Sequence, residues 1–253
     1  MVFLWYPIKF GRVDRANRVL IIIPAYNEEQ AINQVIDQLA SVMPLADILV
    51  VNDASTDATA SILDLRKDIQ AIHLPMNLGI GGCVQTGFRY AVDHFYDIAI
   101  QFDGDGQHKA QDLPRLIQTL THSSSDVIIG SRFLGSEKGY TSSIGRRIGI
   151  HLLRLVTRIL GHVNITDCTS GLRAYNRSAF SFLALNYPTN FPEPEAIILL
   201  GRNGYSMQEV PTEILPRLGG KSSITSSNSL FYMVRVILGM LMTALRPKVS
   251  SNE

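Results

Sequence analysis

An α/β domain built on a mainly parallel sheet, with helices on both faces, is predicted by three features of the chain. Short, continuously apolar runs recur through its first half, among them VLIII, ILVV, IAI and VII. Each is followed by a stretch whose apolar residues recur at helical spacing, and most runs end on a polar, glycine-bearing turn. Runs that are apolar at every position suit strands buried on both faces, and such sheets collect ligands at the carboxyl ends of their strands.

The repeat begins at Val19. VLIIIP predicts a strand, and Ile32, Val35, Ile36 and Leu39 then share one helical face. DILVVND is a second strand, followed by a helix near 57–65, the strand IQAIHL and a helix near 80–93. DIAIQFD, a helix near 112–121 and DVIIGS complete the regular part. After Ser131 comes the polar loop GSEKGYTSSIG and a helix over 146–160, on which Arg147, His151, Arg154 and Arg158 line one face. That face is either simply solvated or cationic toward anionic lipid. TSGLRAYNR reads as a turn into an edge strand, and FPEPEAIILL places Glu193 and Glu195 at a helix start, where carboxylates suit the dipole. Residues 229–245, SLFYMVRVILGMLMTAL, are apolar apart from Arg235 but too short to span a bilayer. They predict an interfacial or partner-binding amphipathic helix, or one packed on the domain. The divisions expected are an arm over 1–17, one domain over 18–225, and the apolar helix and tail over 226–253.

Composition narrows the function classes. The 253 residues suffice for one substantial domain. A net charge of +1 conceals residues 138–180, where seven Lys or Arg meet one acid, Asp167. These cations are interleaved with Ile, Leu and Val rather than with stacking aromatics, which fits a phosphate or lipid headgroup and not nucleic acid. Cys83 and Cys168 show no metal-ligand or disulfide spacing, in keeping with a reduced, cytosolic setting. MVFLWYPIKF lacks the layout of a secretory signal. It is either a packed or frayed arm, or an anchor placing Trp5 and Tyr6 at headgroup depth.

Four strand ends carry the chemistry. In PAYNEE, Pro24 closes the strand, Tyr26 offers a flat face and Glu28 can accept hydrogen bonds. In NDASTD, Asp53 emerges at the strand end to accept from a base or ribose, while Ser55, Thr56 or Asp57 caps the next helix. In NLGIGG, Gly79, Gly81 and Gly82 permit close backbone approach ahead of a helix whose N–H groups can meet a ligand. The spacing is neither that of a dinucleotide fingerprint nor of a phosphate loop. In FDGDGQH, Asp103 and Asp105 form a hard-oxygen pair, with Gln107 adding a neutral oxygen, a set suited to Mg²⁺ or Mn²⁺ shared with a diphosphate. His108 can serve as a further ligand, but is expected rather behind this set or at the surface.

PAYNEE, NDASTD, NLGIGG, FDGDGQH and GSRF occur in the order seen in inverting family-2 glycosyltransferases of the GT-A (Rossmann-like) fold, which this sequence resembles over residues 18–225. TDCTSGLRAYNR and EVPTEILPRLGGKSSI resemble the branch containing dolichol-phosphate mannose synthase and bacterial polyprenyl-phosphate hexosyltransferases. The resemblance implies that Pro24, Tyr26, Glu28, Asp53, Gly79 and Asp103 hold a nucleotide-sugar, and that Asp103, Asp105 and Gln107 hold the metal. It implies that Arg132, Arg146 and Arg217 receive the lipid phosphate and donor diphosphate, with Asp103, Asp105 and Arg132 serving catalysis. Four residues after Arg146, where such enzymes can carry a Ser, this chain has Ile150. Ser170 and Gly171 can border the donor sugar; of Glu193 and Glu195, the latter is the choice for contact with sugar hydroxyls.

The expected activity is inverting transfer of a hexose or N-acetylhexosamine from a UDP-sugar to polyprenyl phosphate, at the cytosolic membrane face. A phosphate acceptor is already anionic, so it needs positioning by arginines more than a deprotonating base. The expected partners are the membrane surface and a small membrane protein or a second copy of the chain. Transfer to a saccharide hydroxyl, which would need a general base, is the alternative, as is a non-catalytic nucleotide-sugar-binding scaffold.

Overall fold

The computed structural model describes residues 17–134, 144–216 and 229–248, and the side chains of 144–148 and 229–232 lie outside that description. Its frame is a seven-stranded sheet of β1 (Val19–Ala25), β2 (Asp47–Asn52), β3 (Gln70–His73), β4 (Ile98–Gln101), β5 (Val127–Ser131), β6 (Arg173–Asn176) and β7 (Met207–Pro211). The order is β3-β2-β1-β4-β6-β5-β7. Neighbours are parallel except at β6, which runs antiparallel to both β4 and β5. The mainly parallel sheet expected from the apolar runs is therefore present.

The strands sort their residues by alternation. Leu20 and Ile22 of β1, Leu49 and Val51 of β2, and Val127 and Ile129 of β5 enter one core cluster. Ile21 and Ile23, Val50, and Ile128 enter the other. Residues Leu20 to Ile23 are all fully buried, each contributing roughly 2 kcal/mol of apolar burial. Against the second cluster pack α1 (Ile32–Val42), through Ile32, Val35, Ile36 and Leu39, and α4 (Leu113–His122), through Leu113, Leu116 and Leu120. Against the first pack α3 (Gly79–Asp93), α6 (Arg177–Asn186) and α7 (Pro192–Arg202). A short helix, α2 (Thr59–Leu65), follows β2.

One expectation fails at β6. TSGLRAYN leads into an interior strand, not an edge strand, because the crossover from β4 through α4 to β5 leaves a slot between those two strands. Ala174 and Tyr175 fill the two core faces of that slot. Local alternation carries no information on which strands flank a segment, so its polar start was misleading.

Two long helices complete the layer on the first face. α5 (Ile144–Gly161) and α8 (Ser229–Leu245) pack on α7 and on each other. Leu152, Leu155 and Ile159 of α5 stay exposed beside His151 and Arg158. On α8, Val236, Met240 and Ala244 are buried, while Val234, Leu238, Leu241, Met242 and Leu245 are exposed. Among its described side chains the exposed side of α8 thus carries Arg235 together with five large apolar residues. No helix among the described residues is long and apolar enough to cross a membrane. Trp5, Tyr6 and Arg217 lie outside the described residues, as does the side chain of Arg146.

Candidate active site

The sheet reverses its winding at β1, since β2 and β3 lie to one side and β4 to the other. Such a switch point opens a crevice at the strand carboxyl ends. A cavity of about 720 Å³ lies there, and Pro24, Tyr26, Glu28, Asp53, Gly79, Asp103 and Asp105 all line it. The residues assigned by sequence to the nucleotide-sugar therefore share one wall system, although 79 positions separate Tyr26 from Asp105 in the chain.

Beside the cavity the turns after β1 and β2 clamp each other, and Asn27 and Glu28 of this clamp line it. Asn27 N–H donates to Ser55 Oγ at 3.0 Å, and Thr56 N–H donates back to Asn27 Oδ1 at 2.8 Å. Glu28 N–H donates to Thr59 Oγ1 at 2.9 Å, and Ala58 N–H to Glu29 Oε2 at 2.9 Å. Asn27 and Ala54 adopt left-handed φ values of 56° and 55°, so both turns are bent sharply toward each other. Ser55 and Thr56 consequently do not cap α2. Their polar groups serve Asn27, and Asp57 takes the Thr59 N–H at 2.9 Å instead. Tyr26, 48% exposed, keeps an open aromatic face at the cavity.

Asp53 does more than was expected of it. Its Oδ1 accepts from Leu78 N–H at 2.7 Å and its Oδ2 from Gly79 N–H at 2.8 Å, so the carboxylate closes the amino end of α3. Two N–H groups at that helix end, those of Leu78 and Gly79, are therefore used by the protein itself. The close approach of Gly81 is also internal, because a Cβ there would sit 2.7 Å from the Pro188 carbonyl oxygen. Asp53 nevertheless stands on the cavity wall, with the Cys83 thiol beside it. Cys83, also on the wall, has its thiol pushed up to about 12 by burial and by Asp53, so it stays protonated.

Asp103 and Asp105 stand where β4 ends. A Cβ at Gly171 would lie 2.2 Å from Asp103 Oδ2, so only glycine lets the turn before β6 pass under this carboxylate. Burial pushes the Asp103 carboxyl up, but His108, Arg132 and Arg173 more than offset it and hold it below the usual range. His108 Nε2 is 3.3 Å from Asp103 Oδ2, and this histidine is buried directly behind the pair. Asp105 Oδ1 accepts the Gln107 N–H at 3.0 Å. Gln107 itself does not line the cavity; its amide nitrogen turns to the Leu215 carbonyl at 3.4 Å. Of the three expected metal ligands, the wall holds two.

The metal can be tested on this geometry. Asp103 Oδ1 is buried with no hydrogen-bond partner among the described residues, beside a second carboxylate. An orphaned anionic oxygen facing a polar cavity is costly unless something cationic completes it. Among the described residues no group of three or more His, Cys, Asp or Glu surrounds a single point. Two carboxylates plus substrate phosphates are the usual protein share for Mg²⁺ or Mn²⁺, so the donor set fits such an ion.

Arg132 follows β5, and its guanidinium is already engaged. Nε donates to Asp167 Oδ2 at 2.7 Å and Nη2 to Asp167 Oδ1 at 2.6 Å, while Nη2 also reaches Thr169 Oγ1 at 2.7 Å. Asp167 is fully buried. Burial pushes its carboxyl up, yet the Arg132 guanidinium holds it below the ordinary value. Arg173, also fully buried, donates to the carbonyls of Ser170 at 2.8 Å, Glu193 at 3.0 Å and Cys168 at 3.1 Å. It ties the turn beneath Asp103 to the start of α7. Glu195 does not reach the cavity. Its Oε1 accepts from Phe191 N–H at 2.8 Å and its Oε2 from Thr243 of α8 at 2.6 Å, so it bolts α8 to α7. Burial and the Asp103 charge push the Glu193 carboxyl up, against the pull of Arg173.

Sequence reading passed over Asp167 and Glu209 as site residues. Asp167 did leave a signal, as the single acid among seven cations between 138 and 180. Glu209, inside QEVP of β7, left none.

Known proteins resemble the chain in these same parts. The sequence profile of Glycosyl transferase family 2 matches residues 20–183. An undecaprenyl-phosphate mannosyltransferase of Micrococcus luteus is 31% identical over 215 residues, covering 82% of this chain and 88% of that protein. A UDP-N-acetylglucosamine–dolichyl-phosphate N-acetylglucosaminyltransferase of Methanococcus voltae is also 31% identical, covering 78% of this chain and 85% of its own. The crystal structure of glucosyl-3-phosphoglycerate synthase from Mycobacterium tuberculosis with Mn²⁺, UDP-glucose and phosphoglyceric acid superposes with a TM-score of 0.63 at 19% identity. It covers 91% of this chain and 81% of that one, which identifies the fold as GT-A.

Proposed function

The chain belongs to glycosyl transferase family 2 and is a glycosyltransferase, and on that premise we propose that it transfers a hexose or N-acetylhexosamine from a UDP-sugar to polyprenyl phosphate, with inversion. The observation that carries this reading is the pair Asp103 and Asp105 on the wall of the cavity that also holds Tyr26, Glu28 and Asp53. Carboxylates, an open aromatic face and acceptor groups in one crevice match a nucleoside diphosphate held through a divalent ion.

In this reading Tyr26 stacks on the base, and Asp53 accepts from base or ribose with its remaining lone pairs. Asp103 and Asp105 would hold Mg²⁺ or Mn²⁺, which neutralises negative charge on the departing nucleoside diphosphate. Mn²⁺ in the Mycobacterium tuberculosis structure supports a divalent ion here. The residues themselves orient the donor so that its anomeric carbon faces an acceptor arriving from the side of Arg132. Arg132 would bind the acceptor phosphate, joined by Arg146 and Arg217. A phosphate monoester oxygen attacks without first losing a proton to the protein, so no general base is assigned.

The lipid nature of the acceptor is supported by the names of the two relatives, which act on undecaprenyl and dolichyl phosphate. It is supported also by the exposed Leu152, Leu155 and Ile159 of α5 beside Arg158, and by the exposed apolar face of α8. That surface suits peripheral attachment to the cytosolic membrane face, alone or with a small membrane protein or a second copy of the chain. The test is incubation of the purified protein with a panel of nucleotide-sugars, undecaprenyl phosphate and Mn²⁺ or Mg²⁺. A lipid-linked monosaccharide identified by mass is expected. Sugar transferred only to saccharide acceptors would overturn the proposal.

A further inference from the structure

Behind Arg132 and Asp167 stands a second carboxylate, and its three hydrogen bonds all go to the segment that carries Asp167. Glu209 lies on β7, opposite Ile129 of β5 and three positions short of the Arg132 level in that strand's register. Its Oε2 accepts from Thr166 N–H at 2.8 Å, and its Oε1 from both Thr166 Oγ1 and Asp167 N–H, each at 2.8 Å. The hydroxyl proton of Thr166 is thus committed to Glu209. Ser131, whose Oγ is 2.9 Å from Thr166 Oγ1, must then be the donor of that pair. Ser131 precedes Arg132 in the chain, so the same threonine is fastened on one side to β7 and on the other to the residue beside the arginine.

From this arrangement we infer that Glu209 is a positioning residue for the acceptor end of the reaction, acting on Arg132 through Asp167. The inference rests on the reading of Arg132 as a phosphate-binding group. Asp167 grips two nitrogens of the Arg132 guanidinium, and it also accepts the Arg132 backbone N–H at 3.0 Å. The direction in which Arg132 presents its remaining surface is therefore set by where Asp167 sits. Asp167 is placed in turn by Glu209, which accepts its backbone N–H and both donors of the residue before it. A carboxylate is required, because the three donors converge on two acceptor oxygens. An amide would turn an NH₂ toward the Thr166 N–H, setting donor against donor. None of these residues lines the donor cavity, so the device belongs to the acceptor side.

The test uses the full chain with polyprenyl phosphate and the UDP-sugar it accepts. Glu209→Gln is expected to raise the acceptor KM at least tenfold, with the donor KM and calorimetric UDP affinity in Mn²⁺ held within twofold. Arg132→Lys should give the same signature, and the double variant should be no worse than Arg132→Lys alone, since residues acting through one another are not additive. If Glu209→Gln folds poorly, Thr166→Val, which removes one of the three donors, should show the same split in milder form. Arg132→Lys with an unchanged acceptor KM would overturn the reading of that arginine. A shifted Arg132→Lys beside an unshifted Glu209→Gln, or effects that multiply in the double variant, would overturn the role of Glu209 alone. Equal loss of donor and acceptor binding in Glu209→Gln would do the same.

Discussion

Arg132 and Asp167 meet side-on through two parallel hydrogen bonds, Nε to Oδ2 at 2.7 Å and Nη2 to Oδ1 at 2.6 Å. The acid is wholly buried, whereas the arginine side chain keeps 18% of its exposure. A bidentate pair of this kind fixes both the position and the plane of the guanidinium. The arginine to which the family resemblance gives a phosphate is thus preorganised by a neighbour of opposite charge.

Removing that neighbour should be costly. Asp167→Asn keeps the shape and leaves Arg132 without its counter-charge. A loss of about 3 kcal/mol is expected, near the low end for a buried pair because Arg132 touches solvent, corresponding to a fall in Tm of roughly 6–12 °C. Differential scanning fluorimetry at neutral pH checks it, and an unchanged Tm would contradict the structural weight given to the pair.

The same pair predicts a pH dependence. The Asp167 carboxyl titrates below its unfolded value of 3.8 in the folded chain. Its contribution is therefore fully present above the unfolded value and is lost as pH falls through the folded one. Wild type should lose stability more steeply than Asp167→Asn as pH drops below 3.8, so the two denaturation midpoints should converge. Parallel curves throughout the acid range would exclude this assignment.

At the donor end, Asp103→Asn and Asp105→Ala should each lower kcat/KM by about 10²-fold or more, through lost stabilisation of the leaving group. Asp103→Asn should also lower the Tm of the metal-free chain, because His108, Arg132 and Arg173 favour the ionised carboxylate there. Wild type is expected to gain Tm when Mn²⁺ and UDP are added together, and the variants to gain little. Wild-type activity that survives exhaustive chelation would remove the metal assignment.

Glu195 and Thr243 set the attachment of α8. Thr243→Val leaves a carboxylate oxygen of Glu195 buried with a partner removed, at a cost of about 1–3 kcal/mol. Hydrogen exchange should accelerate in α8 while β1 stays protected. Uniform acceleration across the chain would show instead that the contact serves the whole domain.

Leu238, Leu241 and Met242 are exposed on α8, so replacing all three by Ser should leave Tm nearly unchanged. If this face enters a lipid interface, partitioning onto vesicles containing anionic lipid should fall at least tenfold, because apolar burial supplies the attachment. Sedimentation with such vesicles measures it; undiminished binding would move the attachment to another surface.

The β1 to β5 half of the fold was legible because each strand and helix there declares itself locally. VLIIIP, ILVV and VII are apolar at every position, and the helices between them keep their periodicity. The cavity residues were legible for a related reason: parallel strands deliver their carboxyl ends to one edge, so PAYNEE, NDASTD and FDGDGQH had to converge. The interior place of β6 was not legible, since its four residues look alike whether one neighbour or two flank them.

By itself the sequence determined the α/β frame, the crevice and the carboxylate pair, all of which follow from spacing along the chain. Only the tertiary structure decided what those groups touch. Asp53 proved to close α3, Glu195 to bolt α8, Gln107 to give its amide nitrogen to the Leu215 carbonyl, and Asp167 with Glu209 to stand behind Arg132. Those partners lie 25 to 108 positions apart in sequence. A hydrogen bond depends on ångström-scale placement after folding, and no periodicity in the chain encodes that distance.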